Sequence, residues 1–246
     1  MINIRFPDNT KKKFPDGTNA LEIAKNISEG LARNVLAAKI DGVIIDSTKV
    51  LPNNKELKLE LLTWENDGGK SVMWHSSAHL MAEAIEFFYP NVKFAIGPPI
   101  ENGFYYDMEF PENIHFSSDD FLKIENKILE LAKQKNKYII SNISKQDAIK
   151  HFQEKQNPYK LELIEELNDG EITFYQQGEF VDLCKGPHMP NTGFIKAVKL
   201  INVAGAYWKG NENNKQLTRI YGITFPKKKY LDEYLIKLEE AKKRDH

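Results

Sequence analysis

Ile2, Ile4 and Phe6 alternate with polar neighbours at the start of the chain, the period-two pattern of a half-buried strand. A turn at Pro7-Asp8-Asn9 leads to a second short strand ending near Phe14. After Pro15-Asp16-Gly17 the apolar positions Ala20, Ile23, Ala24 and Ile27 return at helical spacing. Residues 35–40, 43–45 and 57–62 read as short strands, with Asp41-Gly42 as a hairpin turn. Strand, strand, helix and further strands is the order of a ubiquitin-like β-grasp, so residues 1–62 are expected to form a small domain. Residues 63–69, through Glu65-Asn66-Asp67-Gly68-Gly69, read as a polar, glycine-rich linker.

The pattern then lengthens. A helix is predicted from Ser71, a candidate N-cap, to about Tyr89, where Pro90 stops it. Residues 95–106, rich in Gly and Pro, read as a loop. Phe121, Ile124, Ile128 and Leu131 mark an amphipathic helix. Ser144 followed by Asp147 opens another helix, expected to end before Pro158. Residues 171–183 and 194–225 carry short alternating runs that read as antiparallel strands. Leu231, Tyr234, Leu235, Leu238 and Ala241 outline a closing helix. The second part, residues 70–226 with the closing helix over 227–246, is therefore expected to be α+β.

Composition narrows the class without naming an activity. At 41% hydrophobic and 28% charged residues, the chain belongs with globular rather than disordered proteins. A single cysteine, Cys184, excludes an intrachain disulfide and suits a reducing cytoplasm. No signal-peptide core and no run of 18 apolar residues is present, so a membrane partner is not expected. A net charge of −1 gives no global attraction to nucleic acid. Any RNA contact must be local, with Lys11-Lys12-Lys13 and Lys227-Lys228-Lys229 as candidate phosphate contacts or solvated faces.

The candidate chemistry sits in two windows. His75 and His79 are four apart on a predicted helix and so share a face, with Cβ atoms about 5–6 Å apart. Alone, the pair reads equally as surface histidines. Cys184 and His188 flank a Gly186-Pro187 turn that folds them to one side. Alone, they read as a structural cysteine beside an unrelated histidine. Together the four could close a tetrahedral zinc site or hold a water for attack on an ester.

Four segments, taken in order, carry a resemblance. They are His75-Ser76-Ser77-Ala78-His79, Gly97-Pro98 with Gly103-Phe104-Tyr105-Tyr106-Asp107, Asp182 through His188, and Gly205-Ala206-Tyr207-Trp208. They resemble the editing domain of threonyl-tRNA synthetases of the bacterial and eukaryotic cytosolic type, and residues 1–62 resemble the TGS domain that precedes it. The histidine and cysteine motifs alone would be shared with alanyl-type editing domains. The resemblance implies hydrolysis of serine-mischarged tRNA(Thr), because an aminoacylation site rejects a substrate lacking one methyl by only about 1–3 kcal/mol.

It also implies roles. His75, His79, Cys184, His188 and Lys160 would form the catalytic set. Asp182 would meet the substrate amine, Tyr106 would bound the seryl pocket or bind the adenosine, and Gly97 and Pro98 would let backbone approach the substrate. Tyr106 reads equally as core, Gly97 and Pro98 as a turn, and Trp208 as core or a base-stacking ring. No catalytic metal is expected from the resemblance, although the ligand set remains competent for zinc. The family's aminoacylation and anticodon-binding domains have no counterpart here, so no ligase activity is expected from these residues.

Overall fold

The computed structural model describes residues 1–246. The chain divides into two compact units, Met1–Ser76 with Gly186–Pro190, and Ser77–Lys185 with Asn191–His246.

The first unit is a five-stranded mixed sheet carrying one principal helix. Its elements are β1 (Ile2–Arg5), β2 (Lys11–Phe14), α1 (Ala20–Ile27), α2 (Glu29–Ala32), β3 (Ala37–Ile40), β4 (Val43–Ile45) and β5 (Leu57–Leu62). The strand order is β2-β1-β5-β3-β4, with β1 and β5 parallel and the other pairs antiparallel. The inward residues Ile2, Ile4, Leu57 and Leu59 meet Ala20 and Ile23 of α1 in one core, because alternation on a strand and 3.6-residue spacing on a helix each direct one apolar face inward. Asn19 caps α1 by accepting from the Glu22 N–H at 2.8 Å. This is the β-grasp arrangement expected from the sequence.

The predicted linker is different. Helix α3 runs Asp67–Phe88, four residues earlier than Ser71, and takes in Gly68 and Gly69. The Asn66 side chain accepts from the Thr63 N–H at 2.8 Å, and the Asn66 carbonyl accepts from the Lys70 N–H at 3.0 Å. A Cβ on Gly69 would lie 1.9 Å from the Thr63 carbonyl oxygen. The glycines therefore serve close packing in a first helical turn rather than chain flexibility.

The second unit is α+β, with two antiparallel sheets. Its elements are β6 (Lys93–Phe94), β7 (Pro99–Ile100), β8 (Gly103–Glu109), α4 (Phe121–Lys133), β9 (Ile139–Asn142), α5 (Lys145–Glu154), α6 (Pro158–Glu165), β10 (Thr173–Gln177), β11 (Phe180–Leu183), β12 (Ala197–Tyr207), β13 (Gln216–Phe225) and α7 (Lys228–Arg244). One sheet has the order β12-β13-β8-β6, with β7 paired to β8, and the other is β11-β10-β9. Residues 95–106 are only partly the expected loop, since Gly103 opens a strand paired to β13. Its φ is +112°, and a Cβ there would lie 2.2 Å from the Gly222 carbonyl oxygen.

Pro158 also departs from expectation. It does follow the end of α5, but it occupies the first turn of α6, where a missing N–H costs nothing. Asn157 caps that helix, accepting from the Tyr159 and Lys160 N–H groups at 3.1 Å each. Its own amide donates to the Phe94 carbonyl at 2.8 Å. This cap fixes where Lys160 sits.

Candidate active site

The middle of helix α3 is buried nearly all round. From Val72 to Ile85 every residue is buried except His75. The buried serines are satisfied, with Ser77 Oγ 2.6 Å from Thr224 Oγ1 and Ser76 Oγ accepting from the Met189 N–H at 3.0 Å. Within that stretch the one residue not buried is thus the one that begins the His-x-x-x-His window.

His75 Nδ1 lies 3.1 Å from the Pro187 carbonyl oxygen. A carbonyl only accepts, so Nδ1 carries the proton and the neutral ring has its lone pair on Nε2. The His75 and His188 rings stack at 4.3 Å between centroids with 24° between planes. His188 is held at its ring and at its backbone: ring Nδ1 is 2.9 Å from Ser76 Oγ, and the backbone N–H donates to Asp46 Oδ1 at 2.7 Å. Ser76 had no role assigned from the sequence, and Asp46 was not singled out at all. Asp46 lies in the β-grasp stretch, far in sequence from either motif, and carries no pattern that would have marked it.

A second constellation centres on Asp182, at the end region of β11 and 2% exposed. Lys160 Nζ reaches Asp182 Oδ1 at 2.8 Å, the Ala95 carbonyl at 2.5 Å and the Tyr106 hydroxyl at 3.3 Å. An ammonium has three N–H donors, and all three are matched. The Tyr106 hydroxyl donates to the other Asp182 oxygen, and His79 Nε2 lies 3.7 Å from that same oxygen. Burial pushes the Asp182 carboxyl up, but the Lys160 ammonium and then His79 outweigh it and hold the group below the ordinary carboxylate value. Burial, reinforced by Asp182, pushes the Tyr106 phenol far up, so it stays a neutral donor.

Gly97 closes this constellation from one side. A Cβ there would fall 2.2–2.7 Å from atoms of the Tyr106 ring, so only glycine lets this backbone cross the ring face. Pro98 follows it and is half-buried. Neighbouring backbone is clamped to β8 by the Ala95 N–H to the Asp107 carbonyl and the Asp107 N–H to the Ile96 carbonyl, each at 2.8 Å. Cys184 is half-buried just beyond β11. Its N–H donates to the Thr173 carbonyl at 3.1 Å, and its own carbonyl accepts from the Thr173 hydroxyl.

One ligand-type atom from each of His75, His79, Cys184 and His188 falls within 4.8 Å of the other three. Three imidazoles and a thiol so placed suit either a polarised water or a tetrahedral zinc ion, whose ligands are nitrogen and sulfur at about 2.0–2.3 Å. Trp208 is buried, donating Nε1–H to Glu162 at 2.5 Å and meeting Tyr159 edge-on, so it packs as core. The side chains of Lys11, Lys12 and Lys13 and of Lys227, Lys228 and Lys229 are all exposed.

Residues 2–60 match the family described as the TGS domain, and residues 172–221 match the threonyl and alanyl tRNA synthetase second additional domain. Over all 246 residues the chain is 60% identical to a threonine–tRNA ligase of Cytophaga hutchinsonii. It is 55% identical to one of Parabacteroides distasonis and 54% identical to one of Porphyromonas gingivalis. The chain spans 38% of the first relative's length and 37% of each of the other two.

Proposed function

We propose, from the premise that this chain joins a TGS domain to the second additional domain of threonyl- and alanyl-tRNA synthetases, that it proofreads tRNA(Thr) by hydrolysing the ester of serine-mischarged tRNA. The observation that carries the reading is the contact of His75 Nδ1 with the Pro187 carbonyl, from which the tautomer of the neutral ring follows. With Nδ1 committed to the Pro187 carbonyl, Nε2 is the basic nitrogen of the one α3 side chain accessible within its buried stretch. A water accepted there would be deprotonated as it attacks the ester carbonyl. Cys184 and His188, within reach of the same point, would hold that water.

Asp182 would receive the substrate's α-amino group. Each carboxylate oxygen can accept more than one hydrogen bond, so the contacts from Lys160 and Tyr106 leave it capacity. Lys160 acts by fixing Asp182 and Tyr106, since its three donors are already placed. Gly97 and Pro98 form the adjoining wall. The remainder of a full-length synthetase and the tRNA are the partners of this reading. No helix is long and apolar enough to cross a membrane, in keeping with a cytoplasmic protein.

Deacylation of seryl-tRNA(Thr) with the purified chain tests the reading. His75→Ala and Cys184→Ala are each expected to lower the rate about 10²-fold or more, with circular dichroism and melting unchanged. Wild-type rates in both variants would overturn the site. A chain that binds tRNA but hydrolyses nothing above background would instead be a binding module.

The donor set favours one second reading, a zinc-dependent hydrolase of the alanyl type. Zinc would be held by His75, His79, Cys184 and His188, and would supply Lewis-acid activation of water. Metal analysis and a chelator separate the two. Hydrolysis that survives full chelation supports the metal-free mechanism, and stoichiometric zinc with loss of activity on its removal supports the alternative.

A further inference from the structure

Behind His79, on the buried side of α3, two acceptor oxygens are left without a donor. Glu83 Oε1 and Gln177 Oε1 are both buried and unpartnered, although each side chain is otherwise tied down. Glu83 Oε2 accepts from the Glu179 N–H at 2.9 Å. Gln177 Nε2 donates to the His79 carbonyl at 2.9 Å. That carbonyl belongs to the helical turn whose next amide is that of Glu83, four residues on. The turn between β10 and β11 comes very close: Gly178 has φ +53°, and a Cβ there would lie 2.3 Å from Glu83 Oε2.

Two acceptors cannot satisfy each other, and a buried unmade hydrogen bond costs about 1–3 kcal/mol. One proton resolves the mismatch. We infer that Glu83 is a positioning residue of the site, which as the neutral acid donates its O–H to Gln177 Oε1, so that Gln177 holds the His79 carbonyl in place. The chain of contacts then runs from the β10–β11 turn through Glu83 and Gln177 to the backbone of the residue that faces Asp182. Its relevance to catalysis rests on the hydrolase reading above.

The surroundings favour the proton. Burial raises the Glu83 carboxyl above the ordinary value despite the Glu179 N–H and the adjoining Gln177 side chain, and the nearby acidic groups Glu179, on the turn, and Glu86, on α3, push the same way. The Tyr138 phenol, itself raised by burial and by Glu83, is neutral and adds no compensating charge. Ionisation of Glu83 would remove the donor it offers to Gln177 Oε1 and place a charge against that oxygen.

Two variants separate charge from shape. Glu83→Gln keeps an acceptor for the Glu179 N–H and gives Gln177 Oε1 a permanent N–H donor. Glu83→Ala supplies neither. The side-chain carboxyl titrations are followed by carbon NMR, with the Glu83 resonance identified by its loss in Glu83→Gln. Hydrolysis is measured across pH in parallel. The expected midpoint for Glu83 lies above those of exposed glutamates. Glu83→Gln keeps kcat within about twofold and abolishes any loss on the wild type's Glu83 ionisation. Glu83→Ala lowers kcat about tenfold with KM little changed.

A Glu83 midpoint among the exposed glutamates, or a Gln variant as impaired as the Ala variant, would overturn the inference. The titration needs no substrate. An inert wild-type chain would therefore sink the hydrolase reading while leaving the shared proton standing.

Discussion

Lys160→Met is expected to destabilise the second unit by about 3–5 kcal/mol, because removing one member of a buried ion pair strands the other. Asp182 loses its 2.8 Å partner, and the Tyr106 hydroxyl alone does not replace an ammonium. The pH dependence should change direction as well as size. In the wild type the folded-state carboxyl titrates below its unfolded value, so its stabilisation is present above the unfolded value and is lost as pH falls through the folded one. Without Lys160 the burial that opposes ionisation dominates, and the carboxyl moves up. Stability then decreases as pH rises between the unfolded and folded values. Urea denaturation at a series of pH values reads both the loss and the reversed slope, and an unchanged acid limb would contradict the assignment. Hydrolysis should fall about 10²-fold in the same variant, since Asp182 and Tyr106 would no longer be held for the substrate.

Gly69→Ala should be nearly as damaging, from a position without any titratable group. The added methyl meets the Thr63 carbonyl oxygen at 1.9 Å and its carbon at 2.7 Å, and backbone cannot step aside as a flexible side chain can. A loss of about 3 kcal/mol is expected, at the upper end for an overpacked site. The disturbance enters at the first turn of α3, where Trp64 packs edge-on against Trp74 at 5.6 Å, immediately before His75. Gly30→Ala provides the control, since a Cβ there meets nothing within 4 Å. Melting curves should separate the two alanines clearly. Equal melting would mean that the start of α3 can shift without cost.

The legible parts of this fold are those where one residue's neighbours in sequence are also its neighbours in space. Ile2 and Ile4 declare a strand by alternation, and Phe121 to Leu131 declare a helix by period. Ser144 declares a helix start, and its side chain does accept from the Asp147 N–H at 3.1 Å. The failures share another cause. Gly68 and Gly69 look like flexible chain until Thr63 is known to lie against them. Pro158 looks like a terminator until the Asn157 cap shows that it begins a helix.

The site divides the same way. His75 with His79, and Cys184 with His188, could be paired by spacing alone. The Lys160–Asp182 contact joins α6 to β11; the family resemblance pointed to each residue, and nothing in the sequence pointed to their pairing. Ser76, Asp46, Glu83 and Gln177 gave no signal, because an ordinary polar residue acquires meaning only from the atom it is folded against.

The last helix carries a consequence of its own. None of the residues of α7 is buried, and its apolar contact to the sheet is led by Tyr234 against Phe225 at 5.6 Å. Ile236, two residues on, is 58% exposed. A helix whose apolar face is only half-covered gains little from packing beyond its own hydrogen bonds, which are marginal in water. Fraying past Leu238, beyond which every residue is exposed, is thus cheap, and it opens the peptide bonds after Lys242, Lys243 and Arg244 to a trypsin-like protease.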